Sequence, residues 1–517
     1  MTGLARSQGP TDARTEGRTS GTRFDPLVIL AVAALALLTL ALLLIGNGDL
    51  RLALAPVALT LVVRAAIKAP LRHSLLVLGF LCLTLENPAE APPVHLWTPP
   101  FYTLGALLLT HMNTVVPVKA LMFSALDVLL VLLIGIWVAR RMGGAQIDLQ
   151  GHVPPAPPLR RAVLFCLAAI AFVWGFGMLR DGFSFSNSLW QVHRVIYLPC
   201  IFLLFTAGLR GPADTRALGI TLVAAALLRA CIAIYLRARF PDTTLMPHAT
   251  THGDSMLFSA GVLLMTALFF ERPSRKGLAL IAASVPVLIW GMIANNRRLA
   301  WVELASCFLI IYFITPMTRL KRRVAQTVAL CIPLLVLYAA IGWGRSTGAF
   351  APVHLFRSVI DAQADTSTQW RELENYNLYY TLKDNPILGT GFGHEYIEQI
   401  ILPDISSYSL YRYAPHNSIL GLLVYAGYVG FAGLWMIVPL GIFFAARCYR
   451  FSVVPRDRVA ALTCVGVLVN FSVHCFGDMA LGSWTSVFTV APALALTAKQ
   501  AVATGAWPLA LRRDRTH

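Results

Sequence analysis

Three short pieces of this chain carry residue types that could do chemistry at a membrane surface. His416-Asn417 follows Tyr411-Arg412-Tyr413-Ala414-Pro415 at the start of an apolar run. An imidazole there can take a proton near neutral pH, and a general base of this kind is worth roughly 10²–10⁴ in rate. The structural alternative is a histidine at a helix start or interface, with Asn417 as the N-cap. Arg297-Arg298 sit in a turn after Asn295-Asn296, between two apolar runs. Guanidinium forks match phosphate oxygens and keep their charge, so the pair could hold a diphosphate anchored in lipid. The alternative is snorkelling, or pairing with Glu303 one to two turns into the next span, where a carboxylate needs an interior partner such as an Arg.

The third piece is Asn385-Pro386-Ile387-Leu388-Gly389-Thr390-Gly391-Phe392-Gly393. It lacks the Lys-Ser/Thr of a phosphate-binding P-loop and the preceding strand of a dinucleotide fingerprint. It reads as a tight turn that lets a loop pack on a helical bundle. Around it lie Tyr376, Tyr379, Tyr380, Tyr396, Tyr408, Tyr411 and Tyr413, suited either to stacking on sugar rings or to an interfacial belt. Asp361, Asp365, Glu372, Glu374, Asp384, Glu395, Glu398 and Asp404 supply carboxylates, but sequence places no two of them at the separation a paired-carboxylate hydrolase needs.

These pieces must be positioned by membrane helices. Of the 517 residues 57% are hydrophobic and 13% charged, with a mean hydropathy of +0.67. Soluble domains carry about 25% charge. About fourteen apolar runs, most near the ~20 residues that span a bilayer, predict an all-α polytopic membrane bundle of about 12–14 transmembrane helices. The piece 101–111 is apolar but too short to span. The net charge of +17 is explained by Lys and Arg on cytoplasmic loops, so no nucleic-acid partner is expected. The nine Cys have no CxxC or metal-type spacing and read as small buried apolar residues, with no metal site. The polar first 25 residues lead into a long apolar run with no clear cleavage site, so that run is the expected first span.

With the N-terminus placed in the cytoplasm and the spans alternating, about two-thirds of the 42 Lys and Arg fall on the cytoplasmic side. Arg229 lies mid-span. The expected organisation is a cytoplasmic tail over 1–25, an N-terminal transmembrane bundle over 26–344, one large periplasmic loop over 345–416, C-terminal transmembrane helices over 417–498 and a cytoplasmic tail over 499–517. His252, Arg297-Arg298 and His416 then share one outer face. The Pro-rich 150–160 piece is a stiff cytoplasmic spacer.

In combination these pieces resemble the superfamily of O-antigen ligases and O-antigen or exopolysaccharide polymerases. The resemblance rests on Arg297-Arg298 at the head of a span, on Trp370-Arg371-Glu372-Leu373-Glu374-Asn375 leading into Asn385–Gly393, and on Ala414-Pro415-His416-Asn417 running to Gly430, over roughly 285–445. The stretch from Glu86-Asn87-Pro88 to Pro99-Pro100, with Trp97, looks more like the polymerase members. Asn-Arg-Arg departs from the Ser-Arg frequent in the family, and Arg298 is taken for the family's arginine.

The resemblance implies a multi-pass glycosyltransferase of the bacterial inner membrane with its active site facing the periplasm. The donor would be an undecaprenyl-diphosphate-linked glycan, and the acceptor a glycan or lipid A-core. Other polysaccharide-assembly proteins are natural partners. Arg297, Arg298 and Arg371 would hold the diphosphate, and His416 would deprotonate the acceptor hydroxyl, with inversion. No cofactor or metal is required by this scheme. Asn417, Glu374, Asn385, Gly389, Gly391, Gly393 and Tyr413 would position substrate or loop. A transporter or flippase is the rival. It would string charges through the bilayer, with Arg64, Asp127, Arg229 and Glu303 as candidates.

Overall fold

The computed structural model describes residues 26–45, 48, 50–85, 102–111, 123–143, 151–243, 246–345, 350, 353, 357, 366–402 and 412–508. The stretch 86–100 with Trp97, the carboxylates Asp361, Asp365 and Asp404, Tyr408, Tyr411 and most of both expected tails lie outside the described residues.

The described residues are helical and form no extended sheet. The helices are α1 Pro26–Ile45, α2 Leu50–Lys68, α3 Leu71–Thr84, α4 Tyr102–Leu109, α5 Ala125–Met142, α6 Pro157–Met178, α7 Phe185–Gly208, α8 Thr215–Arg239, α9 His252–Glu271, α10 Arg275–Asn295, α11 Leu299–Ile314, α12 Arg319–Gly342, α13 Thr366–Asp384, α14 Ser418–Trp435, α15 Ile437–Phe451, α16 Pro455–Gly477 and α17 Trp484–Ala503. Among the described residues nine helical stretches are long and apolar enough to cross a membrane, α14 and α15 together forming one of 34 residues. The chain is an all-α, polytopic membrane protein. It divides into two units, 1–68 and 69–517. The first holds α1 packed on α2; all that follows concerns the second.

Three helices form the centre of the second unit. Over their most apolar windows, 78% of α9, 83% of α16 and 89% of α17 is buried. In α12 the share is 0%, although the helix is apolar through most of its length. Apolar side chains exposed all around a helix are tolerable only against lipid.

Local sequence sets the helix ends. Thr251 and Asp254 make a reciprocal capping box at the start of α9, satisfying backbone N–H groups that a helix start leaves open. Asn417 caps α14 by accepting from the Leu420 N–H at 3.0 Å, as expected. Asn296 closes α10 in the left-handed region at φ 54°, a conformation Asn tolerates.

The segment read from sequence as loop before Asn385 is helical. In α13, Glu374, Asn377, Leu378, Thr381 and Leu382 are buried, at the three- and four-residue spacing of one helix face. The outer side shows Tyr376 and Tyr379, 50% and 63% exposed. Its polarity hid it from an apolar-period search, because three of the five buried residues, Glu374, Asn377 and Thr381, are polar. Asn377 and Thr381 use that face to grip the chain that follows: Asn377 Oδ1 accepts from the Ile400 N–H at 2.8 Å, and Thr381 Oγ1 from the Ile397 N–H at 2.8 Å.

Candidate active site

The proposed base sits where α13 crosses the head of α14. Glu374 is 1% exposed. One of its carboxylate oxygens accepts from the His416 backbone N–H at 3.1 Å, and the other lies 3.3 Å from His416 Nδ1. The carboxylate therefore favours the tautomer with a proton on Nδ1, which leaves the Nε2 lone pair as the basic position. Trp370, one turn before Glu374, meets the imidazole edge to face at 4.5 Å between ring centres. The ring is held on two sides while a quarter of the side chain stays exposed.

Arg371, next to Trp370, turns to the end of α16. Its Nη1 donates to the Gly477 carbonyl at 2.6 Å, and Nη2 lies 4.0 Å from the Asp478 carboxylate. Asp478 is the junction of the site. His252 Nδ1 is 3.4 Å from Oδ2, His474 Nε2 is 4.0 Å from the same oxygen, and Ser418, two residues past His416, donates its hydroxyl to the Asp478 carbonyl at 3.0 Å. Burial works against the Asp478 charge, but His252, His474 and Arg371 hold its pKa at about 2. The carboxylate stays ionised at every physiological pH.

Arg297 completes the row. Its Nη1 contacts His252 Nε2, and Nη2 donates to the Thr250 carbonyl at 3.3 Å. A guanidinium can only donate, so Nε2 of His252 accepts and Nδ1 carries the proton facing Asp478. The Asn-Arg-Arg turn is built for this placement. Asn295, fully buried, accepts from the Thr250 N–H at 2.7 Å and donates to the Thr251 carbonyl at 3.1 Å and the Ser255 hydroxyl at 2.9 Å. It sews the end of α10 to the start of α9 and brings Arg297 beside His252. Arg298 stands at the head of α11, half-buried. His248 lies in the same corner, and burial together with the Arg297 charge pushes its pKa down to about 4.

Arg297, Arg371 and His416, 119 positions apart from first to last, are thus joined through shared neighbours at one end of the bundle. The remaining expected residues support the scaffold. Asn385 Oδ1 and the Gly389 carbonyl accept from Arg180 at 3.1 and 2.9 Å. Gly389, Gly391 and Gly393 all have positive φ and lie against backbone or aromatic atoms where a Cβ would clash; they pack the turn onto the bundle. Gln191 of α7 accepts from the Gly393 N–H at 2.5 Å and donates to the Tyr413 carbonyl at 2.9 Å. Asn417 Nδ2 donates to Asn375 Oδ1 at 3.1 Å, a second tie between α13 and α14.

Two expectations are corrected. Glu303 does not pair with an arginine: its oxygen lies 2.9 Å from His474 Nδ1, because both side chains are fully buried where α11 packs on α16. The tyrosines are not one set: Tyr396 is 2% exposed and belongs to the core. Asp478 and His474 were missed by sequence reasoning, and Trp370 was read only as part of a motif, with no contact to His416 expected. The only signal for the first two was a His and an Asp four apart at the end of an apolar run. Three of the four charges considered for a transport path, Asp127, Arg229 and Glu303, are engaged locally. Arg229 makes a bidentate pair with Asp254 at 2.9 and 2.6 Å, and Asp127 is bound by Ser124 and Tyr197 beside His193. Glu395 and Glu398 both pair with Arg412.

Compared with known proteins, residues 260–435 match the family model described as O-Antigen ligase. The matched span runs from α9 to the end of α14 and contains Arg297, Arg298, Arg371, Glu374, Asn385, the three turn glycines, His416 and Asn417. Asp478 and His474 lie beyond it. No curated protein matches the chain.

Proposed function

We propose that this chain, a member of the O-antigen ligase superfamily, is a membrane glycosyltransferase of surface-polysaccharide assembly that moves a glycan from a polyprenyl diphosphate to an acceptor hydroxyl. The observation that carries the reading is the His416–Glu374 pair at one end of a row that runs through Arg371, Asp478 and His252 to Arg297. A base and a cationic diphosphate site are the two stations this transfer needs.

His416 Nε2 takes the proton of the acceptor hydroxyl as its oxygen attacks the anomeric carbon. The bond from that carbon to the diphosphate oxygen breaks on the opposite face, and the configuration inverts. Negative charge grows on the departing diphosphate, where Arg298, with Arg297 and Arg371, stabilises it; one such fixed donor is typically worth roughly 10²–10³ in rate. Glu374 stabilises the imidazolium that forms at His416. A diphosphate leaves readily, so no general acid acts on it.

The charge distribution of the chain supports a site facing the periplasm from the inner membrane. The donor fits undecaprenyl diphosphate. A glycan acceptor still on lipid would make the protein a polymerase, and a lipid A-core acceptor would make it a ligase.

The test is transfer in detergent by purified protein given a defined undecaprenyl-diphosphate oligosaccharide, read by gel and mass spectrometry. A ladder from donor alone identifies a polymerase. Product only with added lipid A-core identifies a ligase. His416→Ala should abolish either while the protein stays folded and inserted; normal product from that variant overturns the assignment.

A further inference from the structure

A small cleft opens between α7, the head of α14 and the turn at Leu481-Gly482. Pro415 and Ser418, which flank the His416-Asn417 pair, form one wall, and Gln191 and Arg194 form another. Among the described residues lining it, Arg194 is the one that carries a charge. Its Nη1 lies 3.2 Å from the Met479 sulfur, and its stem rests on Gly482, where a Cβ would come within 3.5 Å of Nε. The side chain is half-buried. Asp478 and Met479 are consecutive, so the turn after α16 separates two cationic stations. Arg371 and His252 adjoin Asp478, with Arg297 behind His252, while Arg194 stands at Met479 on the cleft.

We propose that this cleft is the acceptor subsite, and that Arg194 selects an acceptor glycan bearing an oxyanion, either a sugar carboxylate or a phosphoryl substituent. The inference rests on the transferase reading above. An attack that inverts the anomeric carbon brings the acceptor from the side opposite the leaving diphosphate. The base must therefore have the donor on one hand and the acceptor on the other. Pro415 and Ser418 of the cleft wall flank His416-Asn417 in the chain, and Arg194 at Met479 is one residue from the Asp478 that Arg371 approaches. The cleft's lining of Tyr413, Tyr425 and Pro415 suits the apolar face of a sugar ring laid across its mouth, and a guanidinium in a partly desolvated cleft binds a carboxylate or phosphate through two parallel hydrogen bonds. Gln191, which also lines it, is committed to the Gly393 and Tyr413 backbone and keeps the wall fixed.

The experiment is equilibrium binding to the full chain in nanodiscs. The probes are a hexuronate disaccharide, its carboxyl-reduced counterpart, a phosphorylated disaccharide and undecaprenyl diphosphate. The wild-type protein should bind at least one acidic disaccharide about tenfold or more tighter than the reduced one, since a guanidinium–oxyanion hydrogen bond is roughly twice as strong as a neutral one. Which acidic probe binds separates carboxylate from phosphate. Arg194→Gln should erase that preference and leave undecaprenyl diphosphate binding unchanged; Arg371→Gln should do the reverse. Equal binding of acidic and neutral disaccharides to wild type overturns the proposal, as does an Arg194→Gln variant that keeps the acidic preference or loses undecaprenyl diphosphate instead. Failure of wild type to bind undecaprenyl diphosphate at all would instead strike the transferase reading.

Discussion

Gly389 and Gly427 touch backbone to backbone: a Cβ on Gly389 would fall 2.5 Å from the Gly427 nitrogen, and one on Gly427 would fall 2.3 Å from the Ile387 carbonyl oxygen. At Gly427, φ 59° and ψ −174° break α14. The turn supplies what the break leaves open. The Val424 and Tyr425 carbonyls accept from the Thr390 and Gly391 N–H groups at 2.9 and 2.8 Å, and the Tyr428 and Val429 N–H groups donate to the Pro386 and Ile387 carbonyls at 2.8 and 3.2 Å. An interrupted helix at membrane depth is tolerated when protein satisfies its backbone, and here the Gly-rich turn does so. Gly427→Ala and Gly389→Ala should each destabilise the protein by at least about 2 kcal/mol, from strained φ and overpacking together. Gly135→Ala, inside α5 and with nothing within 4 Å of its Cβ, should not lower the melting temperature in the same thermal-unfolding assay and should raise it slightly, since Ala is the better helix former.

Glu374 acts through His416. Glu374→Gln should lower the transfer rate by roughly 10²-fold, within the range a general base supplies, and shift its dependence on pH. The double variant with His416→Ala should be no slower than His416→Ala alone, since residues working as a unit are not additive. A double variant markedly slower than either single one would mean that the two act separately. Single-turnover rates across pH decide this.

Arg229 and Asp254 form a buried bidentate pair, 2% and 1% exposed. Removing one partner leaves an uncompensated charge, at a cost of about 3–5 kcal/mol. Asp254→Ala also removes the α9 capping box. It should therefore unfold at markedly lower temperature, and Arg229→Met combined with Asp254→Leu should recover part of the loss. Expression and melting in detergent would measure both.

The Asp478 carboxyl is held at about 2, below its ordinary 3.8. A depressed folded-state pKa contributes stability that is fully present above the unfolded value and is lost as pH falls through the folded one. The melting temperature should therefore drop as pH is lowered from about 4 toward about 2, and Asp478→Asn should flatten that part of the curve. The same variant should weaken transfer at neutral pH, because His252 and Arg371 both orient on this carboxylate. A wild-type-like slope in the variant would show that other carboxyl groups set the acid limb.

Sequence alone determined that the chain is a helical membrane bundle. Repeated apolar runs of spanning length admit no other backbone solution in lipid, and composition reports this without any long-range contact. It also determined the local devices, because caps and tight turns depend on neighbours within four residues: Asn417 starts α14, and the glycines of 389–393 turn the chain onto the bundle. His416, Arg297, Arg298 and Arg371 were legible as residue types suited to one chemistry. Tertiary structure decided how they meet. Glu374 faces His416 from 42 positions away, and Asp478 joins Arg371 to His252 across 107 and 226 positions. It decided that Glu303 faces a histidine, and that polar α13 is a packed helix whose buried face mixes Glu374, Asn377 and Thr381 with Leu378 and Leu382. A polar residue in a sequence carries no mark of its partner; the partner is chosen by which helix ends the packing of the apolar runs brings to the same place.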